Sequence, residues 1–77
     1  MRKGPYKIVL TRHAFVRAMQ RGVSPDLIED ALQTGNMKKQ GKGRVKFEKR
    51  FKQFTVVCVD EITGNVIRIV TIEKKRR

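Results

Sequence analysis

Three side chains near the start of the chain have the types and spacing for chemistry on a phosphodiester. His13, Arg17 and Arg21 follow one another at i, i+4 and i+8, so they form one row if this segment is a helix. Guanidinium groups bind phosphate oxygens through paired hydrogen bonds, and a neutral imidazole can take a proton from a ribose 2′-hydroxyl. The row therefore predicts a catalytic site for RNA, with His13 as the base. The alternative interpretation is a packing or capping histidine beside a solvated face of arginines.

Other reactive residue types are sparse. His13 is the only histidine and Cys58 the only cysteine, which excludes an internal disulfide framework and a multi-cysteine zinc site. We therefore expect neither a metal nor another cofactor. Cys58 stands in an apolar stretch, which favours a buried, inert thiol over a nucleophile.

Positive charge dominates the composition. The 77 residues include 19 Lys and Arg against 7 Asp and Glu, for a net charge of +12 and a pI near 10.8. Such an excess is typical of proteins with a polyanionic partner: nucleic acid, an acidic membrane surface or an acidic protein. The charge is segmental, at +6 over residues 1–21, −3 over 22–35 and +7 over 36–55. Beyond the row, the residues expected to contact nucleic acid are Arg12, Lys38, Lys39, Lys42, Arg44, Lys46, Arg50 and Arg68.

The first half of the chain predicts a strand over Tyr6–Leu10 and two helices after it. Thr11 is a capping residue for the first helix and Ser24 for the second. Gly22 and Gly35 are of the residue type that ends helices. Each helix carries one apolar stripe that we expect to be buried against a sheet: Ala14, Phe15, Ala18 and Met19 in the first, and Leu27, Ile28, Ala31 and Leu32 in the second.

The second half predicts three strands, because β-branched and aromatic residues dominate it. The expected elements are a strand through Val45 and Phe47, a turn or bulge near 49–52, a strand over 53–59, a hairpin loop over 60–65, a last strand over 66–72 and a frayed basic tail over 73–77.

Together these elements predict an α+β fold with the order β-α-α-β-β-β in a single domain, residues 1–77. The three C-terminal strands form an antiparallel meander, and the helical hairpin packs on one face of this small antiparallel sheet. The first strand joins at an edge or beside the last strand. No apolar run approaches the roughly 18 residues of a membrane span, no signal-peptide core follows Met1, and a lone cysteine suits a reduced compartment. We therefore expect a cytoplasmic protein.

The first helix and the turn after it resemble a family signature. Thr11, His13, Ala14, Arg17 and residues 21–24 match the pattern T-x-H-A-x-x-R-x-x-x-R-G-[IV]-[ST]. This pattern is similar to that of the small bacterial and archaeal domain-of-unknown-function family forty-two fifty-eight, whose members are similar to the RelE/ParE toxin superfamily. The resemblance implies a RelE-like β-α-α-β-β-β fold. The motif residues that carry over are His13, Arg17 and Arg21.

The resemblance implies two kinds of activity, because RelE-like relatives cut messenger RNA without a metal and ParE-like relatives inhibit DNA gyrase. The leading hypothesis is a toxin-like RNA-binding protein of a toxin–antitoxin system, with metal-independent endoribonuclease activity left open. His13 would be the base, Arg17 and Arg21 would bind phosphate, and residues 38–52 would steer RNA. The alternatives are a noncatalytic inhibitor or interaction protein and a simple nucleic-acid-binding module. An acidic antitoxin is the expected protein partner, and the oligomeric state stays open.

Overall fold

The computed structural model describes residues 2–76 and has the α+β class that the sequence predicts. In this part of the chain, two helices and six strands follow one another. In order they are β1 Arg2–Lys3, β2 Tyr6–Leu10, α1 Arg12–Gln20, α2 Pro25–Thr34, β3 Asn36–Lys39, β4 Arg44–Arg50, β5 Phe54–Thr63 and β6 Val66–Arg76. Strands β1 and β3 were not expected. All four residues of β3 are exposed. Because neither face of this strand is buried, its sequence lacks the alternation of apolar and charged residues that indicates a strand.

The six described strands form one mixed sheet in the order β1-β2-β6-β5-β4-β3. Strands β4, β5 and β6 make the predicted antiparallel meander. Strand β2 lies beside the last strand, but it runs parallel to it, with Leu10 opposite Ile69. The expectation of a wholly antiparallel sheet is therefore wrong. The helices and strands between β2 and β6 provide the long crossover that a parallel neighbour needs.

Both helices begin at the predicted caps. The Thr11 hydroxyl accepts a hydrogen bond from the Ala14 amide at 3.2 Å and donates one to the Ile69 carbonyl at 2.8 Å. The first bond caps the helix, and the second fixes the start of α1 to β6. The Ser24 hydroxyl accepts from the Leu27 amide at 3.4 Å at the start of α2. Each cap satisfies a backbone amide that the first helical turn would otherwise leave unpaired.

Two glycines end the helices in different ways. After α1 the Val23 amide donates to the Ala18 carbonyl at 2.8 Å, and Gly22 has a φ of 72°, the left-handed ending that favours glycine. Gly35, after α2, is needed for space, because a Cβ there would collide with the Ala31 carbonyl oxygen and lie 2.9 Å from that of Glu48. The missing side chain thus lets the end of α2 approach β4.

The apolar stripe of α1 is only half buried. Ala14 and Ala18 are fully buried, but Phe15 and Met19 are 43% and 42% exposed, so their expected burial is wrong. Each lies one helical step, about 100°, from an alanine, which places it at the edge of the contact. The small alanines allow close packing on β6, and the larger residues are left outside. On α2 the prediction is confirmed for Ile28, Ala31 and Leu32, which are buried, and Leu27 packs against them.

The loop expected over 60–65 is mostly strand. Strand β5 continues to Thr63, and the turn consists of Gly64 and Asn65 alone. Gly64 has a φ of 58°, which suits the first position of a two-residue hairpin turn. The turn expected near 49–52 lies between β4 and β5, at 51–53.

The C-terminal segment is ordered strand rather than a frayed tail. Residues 73–76 continue β6 and pair with 54–57 of β5. Arg77, the last residue of the expected tail, lies outside the described residues. Cross-strand pairing satisfies the backbone of this segment even though charged side chains dominate its sequence.

The sheet curls strongly across the face on which the helices pack. In the strand order β1 is separated from β4 by three strands. Even so, Lys3 Nζ on β1 lies 5.6 Å from the centroid of the Phe47 ring on β4. The same atom is 3.4 Å from the Gln33 carbonyl oxygen at the end of α2. The two edges of the sheet therefore approach one another.

Candidate nucleic-acid interface

The predicted row lies along α1 and is open to solvent. Its members are His13, Arg17 and, at the C-cap, Arg21, and all three side chains are exposed. At 1.5 Å per residue the row is about 12 Å long. Within residues 2–76, none of the three side chains takes part in a hydrogen bond or an ion pair. We call these residues the α1 row; their cationic and imidazole groups are free for a ligand.

Helix α1 runs along β6 towards the C-terminal end of that strand, which is rich in basic residues. Its start is bonded to Ile69, and at its end a Cβ on Gly22 would lie 3.7 Å from Lys74 Nζ. The helix therefore follows β6 towards its C-terminus. Arg21 consequently lies at the same end of the molecule as Lys74 and Arg76. We call these three residues the basic end.

Aromatic rings adjoin the basic end. Phe51 and Phe54 stack with centroids 5.2 Å apart and an interplanar angle of 27°. Lys49 Nζ lies 5.3 Å from the centroid of Phe51, and Lys74 Nζ lies 4.6 Å from that of Phe54. These are cation–π distances. Lys49 is ion-paired with Asp30 at 3.0 Å, so Lys74 is the lysine of this pair that has no acidic partner among the described residues. A ring beside such a cation can stack on an unpaired base while the cation holds a phosphate.

A cavity of about 380 Å³ lies at this place, lined by Gln53, Phe54, Lys74 and Arg76. It combines an amide, an aromatic ring and two cations. The sequence argument missed this arrangement because it assigned residues 73–77 to a frayed tail. The available signal was the pair Phe51 and Phe54, two aromatic residues within a basic segment.

The residues expected to contact nucleic acid are divided between several places. Arg12 is exposed on α1, Lys42 lies in the turn before β4, and Lys39 shares its side of β3 with Met37, on the helix-bearing face of the sheet. The others lie on the opposite face of the sheet, which we call the open face. Side chains alternate between the two faces along a strand, and paired residues on neighbouring strands share a face. By this rule the open face carries Lys38, Arg44, Lys46, Arg50 and Arg68.

Acidic residues partly neutralise the open face. Arg44 forms an ion pair with Glu61 at 4.0 Å, and Glu61 is also the cross-strand partner of Arg68. Lys46 pairs with Glu48 at 3.7 Å. The structure thus separates these cations from the α1 row and gives several of them acidic neighbours. The α1 row and the basic end form the less compensated surface.

Two buried titratable groups belong to the core and not to this surface. Asp60 is fully buried, and neither carboxylate oxygen has a hydrogen-bond partner. Desolvation raises the pKa of Asp60 to about 8. The Cys58 thiol is also buried, and its pKa is raised to about 12, mainly by burial and further by the charge of Asp60. A protonated, inaccessible thiol is inert.

No protein-family model, curated protein or solved structure matches this chain. Within the described residues, no three His, Cys, Asp or Glu side chains are placed to share a metal ion. Neither helix of residues 2–76 has the length and apolar character required to cross a membrane. The candidate interface is therefore defined by its own geometry and charge.

Proposed function

We propose that this protein is a toxin-like RNA-binding protein whose interface consists of the α1 row and the basic end. The observation that supports it is the approach of Gly22 to Lys74, which joins two groups of cations separated by about fifty residues in the chain. Arg17, Arg21 and Arg76 have no acidic partner within the described residues. A continuous cationic surface of this kind binds a phosphate backbone by releasing its counterions.

Single-stranded RNA suits this surface better than a duplex. Phe54 adjoins the cations, and an aromatic ring can stack only on a base that is not already paired and stacked. The amide of Gln53 lines the same cavity and can donate to or accept from a base edge.

The binding test compares two substitutions that remove the same charge. Arg21→Gln alters the basic end, and Arg44→Gln alters the open face. With four phosphates neutralised, the affinity for a fluorescent single-stranded RNA should fall with salt at a log–log slope of about −3. Arg21→Gln should weaken binding by about threefold to tenfold and reduce the slope by about 0.7, whereas Arg44→Gln should change affinity less than about twofold. Equal losses would contradict the proposed interface, and a salt-independent affinity would contradict RNA binding itself.

Endoribonuclease activity is the catalytic form of this proposal. The neutral His13 imidazole would remove the proton from a ribose 2′-hydroxyl, whose oxygen attacks the adjacent phosphorus. The bond to the 5′-oxygen of the next nucleotide then breaks, which leaves a 2′,3′-cyclic phosphate, and the 5′-oxygen takes a proton from solvent and departs as a hydroxyl. Arg17 and Arg21 would stabilise the negative charge that develops on the phosphate oxygens. No described side chain is hydrogen-bonded to His13, so the substrate itself would have to orient the imidazole.

Single-turnover cleavage of the same RNA in EDTA tests the catalytic step. His13→Ala should slow cleavage by about 10²- to 10⁴-fold and leave RNA affinity unchanged, because a neutral imidazole adds little to phosphate attraction. Thermal unfolding of the variant confirms that it is folded. Full activity in folded His13→Ala protein would eliminate the catalytic assignment. Absence of cleavage by the unaltered protein would eliminate the nuclease and leave RNA binding to be judged by its own test.

A noncatalytic interaction protein is the second candidate, because α1 also carries an exposed apolar patch. Phe15, Val16 and Met19 are each more than 40% exposed, and Arg12 and Arg17 adjoin them along the helix. An acidic protein with an apolar face, as expected of an antitoxin, complements this surface. If an acidic protein encoded beside this one binds it, Phe15→Ser, which removes the apolar ring without changing the charge, should abolish that binding and preserve RNA affinity. Unchanged binding of that protein to Phe15→Ser would refute the patch as its docking site.

A further inference from the structure

A second cavity lies between the two edges of the curled sheet, away from the basic end. Its volume is about 450 Å³, within the range of small-molecule sites. Strands β1 and β2 form one side of it, and β3, β4 and β5 contribute much of the rest. Its lining is mainly apolar and includes Tyr6, Met37, Val45, Phe47, Ile62 and Ile67. We call this cavity the edge cleft.

The charged residues that line the edge cleft are both lysines. Lys3 lies on the β1 side and Lys39 on the β3 side, and no acidic residue lines the cleft. Lys3 Nζ contacts a backbone carbonyl and the face of an aromatic ring, and neither lysine forms an ion pair with another described residue. Two ammonium groups without carboxylate partners can therefore share an anionic group placed between them.

The apolar lining and the lysines together define a ligand with two different ends. Apolar surface in a cleft of this size is best covered by a hydrocarbon chain or a ring system. Lys3 and Lys39 favour a ligand that also carries a negative charge. We propose that the edge cleft binds a small amphipathic anion, with its apolar body against the accessible side chains of Tyr6, Met37 and Ile62 and its carboxylate between Lys3 and Lys39. No residue of the proposed RNA interface lines the edge cleft, so this site is independent of that interface.

Met37 supports this assignment through its exposure. It is 51% exposed although it lies on the inner side of β3, opposite Phe47. An unbranched thioether adapts readily to ligands of different shape. A bound apolar group would cover Met37 without any rearrangement of the core.

The test uses dodecanoate and 1-naphthoate as probes, so that a chain and a ring system are compared, and dodecyltrimethylammonium as the cationic counterpart. Binding is followed by backbone amide chemical shifts, with every probe below its micelle concentration. The two carboxylates should shift the amides of Lys3, Gly4 and Tyr6 and those of residues 37–39 and 45–47, and the cation should not. Equal binding of dodecanoate and dodecyltrimethylammonium would show that only apolar contact matters and would overturn the proposal, as would the absence of shifts in these segments.

Strand β3 supplies a matched pair of variants. Lys39→Glu places an acid at the cleft, and Lys38→Glu makes the same charge change one residue away on the open face. We expect Lys39→Glu to weaken carboxylate binding at least tenfold and Lys38→Glu to weaken it less than twofold. Both side chains are exposed, so both variants should fold, which thermal unfolding verifies. Equal losses in the two variants would refute the assignment, because they would reflect net charge alone. Met37→Asp, which places a carboxylate on the apolar lining of the edge cleft, is a second variant that should weaken carboxylate binding.

Discussion

Asp60→Asn should remove an unusual pH dependence from the stability of this protein. Asp60 stands on β5 between Val45 of β4 and Ile69 of β6, and both of these neighbours are buried. The register of β6 shifts next to it, since Val59 pairs with Thr71 but Asp60 with Ile69. The carboxyl group is enclosed in the core without a hydrogen-bond partner, and a charged form there is costly.

The size and sign of the effect follow from the pKa. Burial raises the pKa of Asp60 from 3.8 to about 8. Below pH 4 the group is protonated in both the folded and the unfolded chain, so the free energy of unfolding has its full value with respect to this group. Between pH 4 and pH 8 only the unfolded chain releases the proton, so each pH unit lowers the free energy of unfolding by about 1.4 kcal/mol. The loss is complete once the pH has risen through the folded-state value.

The expected change is large for so small a protein. From pH 5 to pH 7 the loss is about 2.7 kcal/mol, against a total stability of about 4 to 12 kcal/mol for a chain of this length. It corresponds to a decrease in Tm of roughly 10 to 20 °C. Asp30 shifts in the opposite direction, because its hydrogen bond with Lys49 lowers its pKa. Its contribution is therefore lost only below pH 4.

Urea unfolding at half-unit steps from pH 5 to pH 8 measures this dependence. The free energy of unfolding of Asp60→Asn should lack the decline attributed to Asp60, whatever its absolute stability. Glu61→Gln is the matched control, because it removes an acid from the adjacent, partly exposed position, and it should retain the decline. If Asp60→Asn and the unaltered protein have the same pH dependence, the buried carboxyl is ionised at neutral pH and the reasoning is wrong.

Three further predictions concern the core and the helices. Gly35→Ala should lower the free energy of unfolding by about 3 kcal/mol, since its Cβ would collide with the carbonyl oxygens of Ala31 and Glu48; a loss below 1 kcal/mol in urea unfolding would contradict this. Cys58 should react with a thiol reagent at pH 8 only as fast as the protein opens, because the thiol is buried and protonated; rapid labelling of the folded protein would show that it is accessible. Phe15→Ala should cost only about 1 to 2 kcal/mol, because the ring is 43% exposed, and a loss of 4 kcal/mol or more in urea would indicate that the ring is buried in solution.

Local sequence signals predicted the helices and the meander well. Thr11 and Ser24 cap helices through bonds to amides three residues away, so the residue type at one position is enough to indicate them. The ending at Gly22 is equally local. The apolar stripe of α2 was assigned correctly because it faces β4 and β5 broadly. On α1 the predicted buried stripe is too wide, because Phe15 and Met19 are exposed. How closely a helix packs depends on the surface of its partner, and the local sequence pattern contains no information about that surface.

The strand errors have a related cause. Residues 73–76 are rich in charge and give no sign of a strand on their own, yet they pair with 54–57. The sequence predicts a hairpin loop over 60–65 that includes Asp60, whereas the structure buries Asp60 in β5. In both segments the long-range pairing of β5 with β6 overrides the preference of the individual residues.

The sequence by itself determined the α+β class, the positive charge, the helix ends and the α1 row, because each depends on composition or on residues within a few positions of one another. Only the tertiary structure decided which cations lie together. It placed the C-terminal end of α1, which carries Arg21, beside Lys74, separated both from the open-face residues such as Arg44, and curled the sheet until the edge cleft formed. These relations join residues that are tens of positions apart, and they depend on strand order and sheet curvature, which no short pattern encodes.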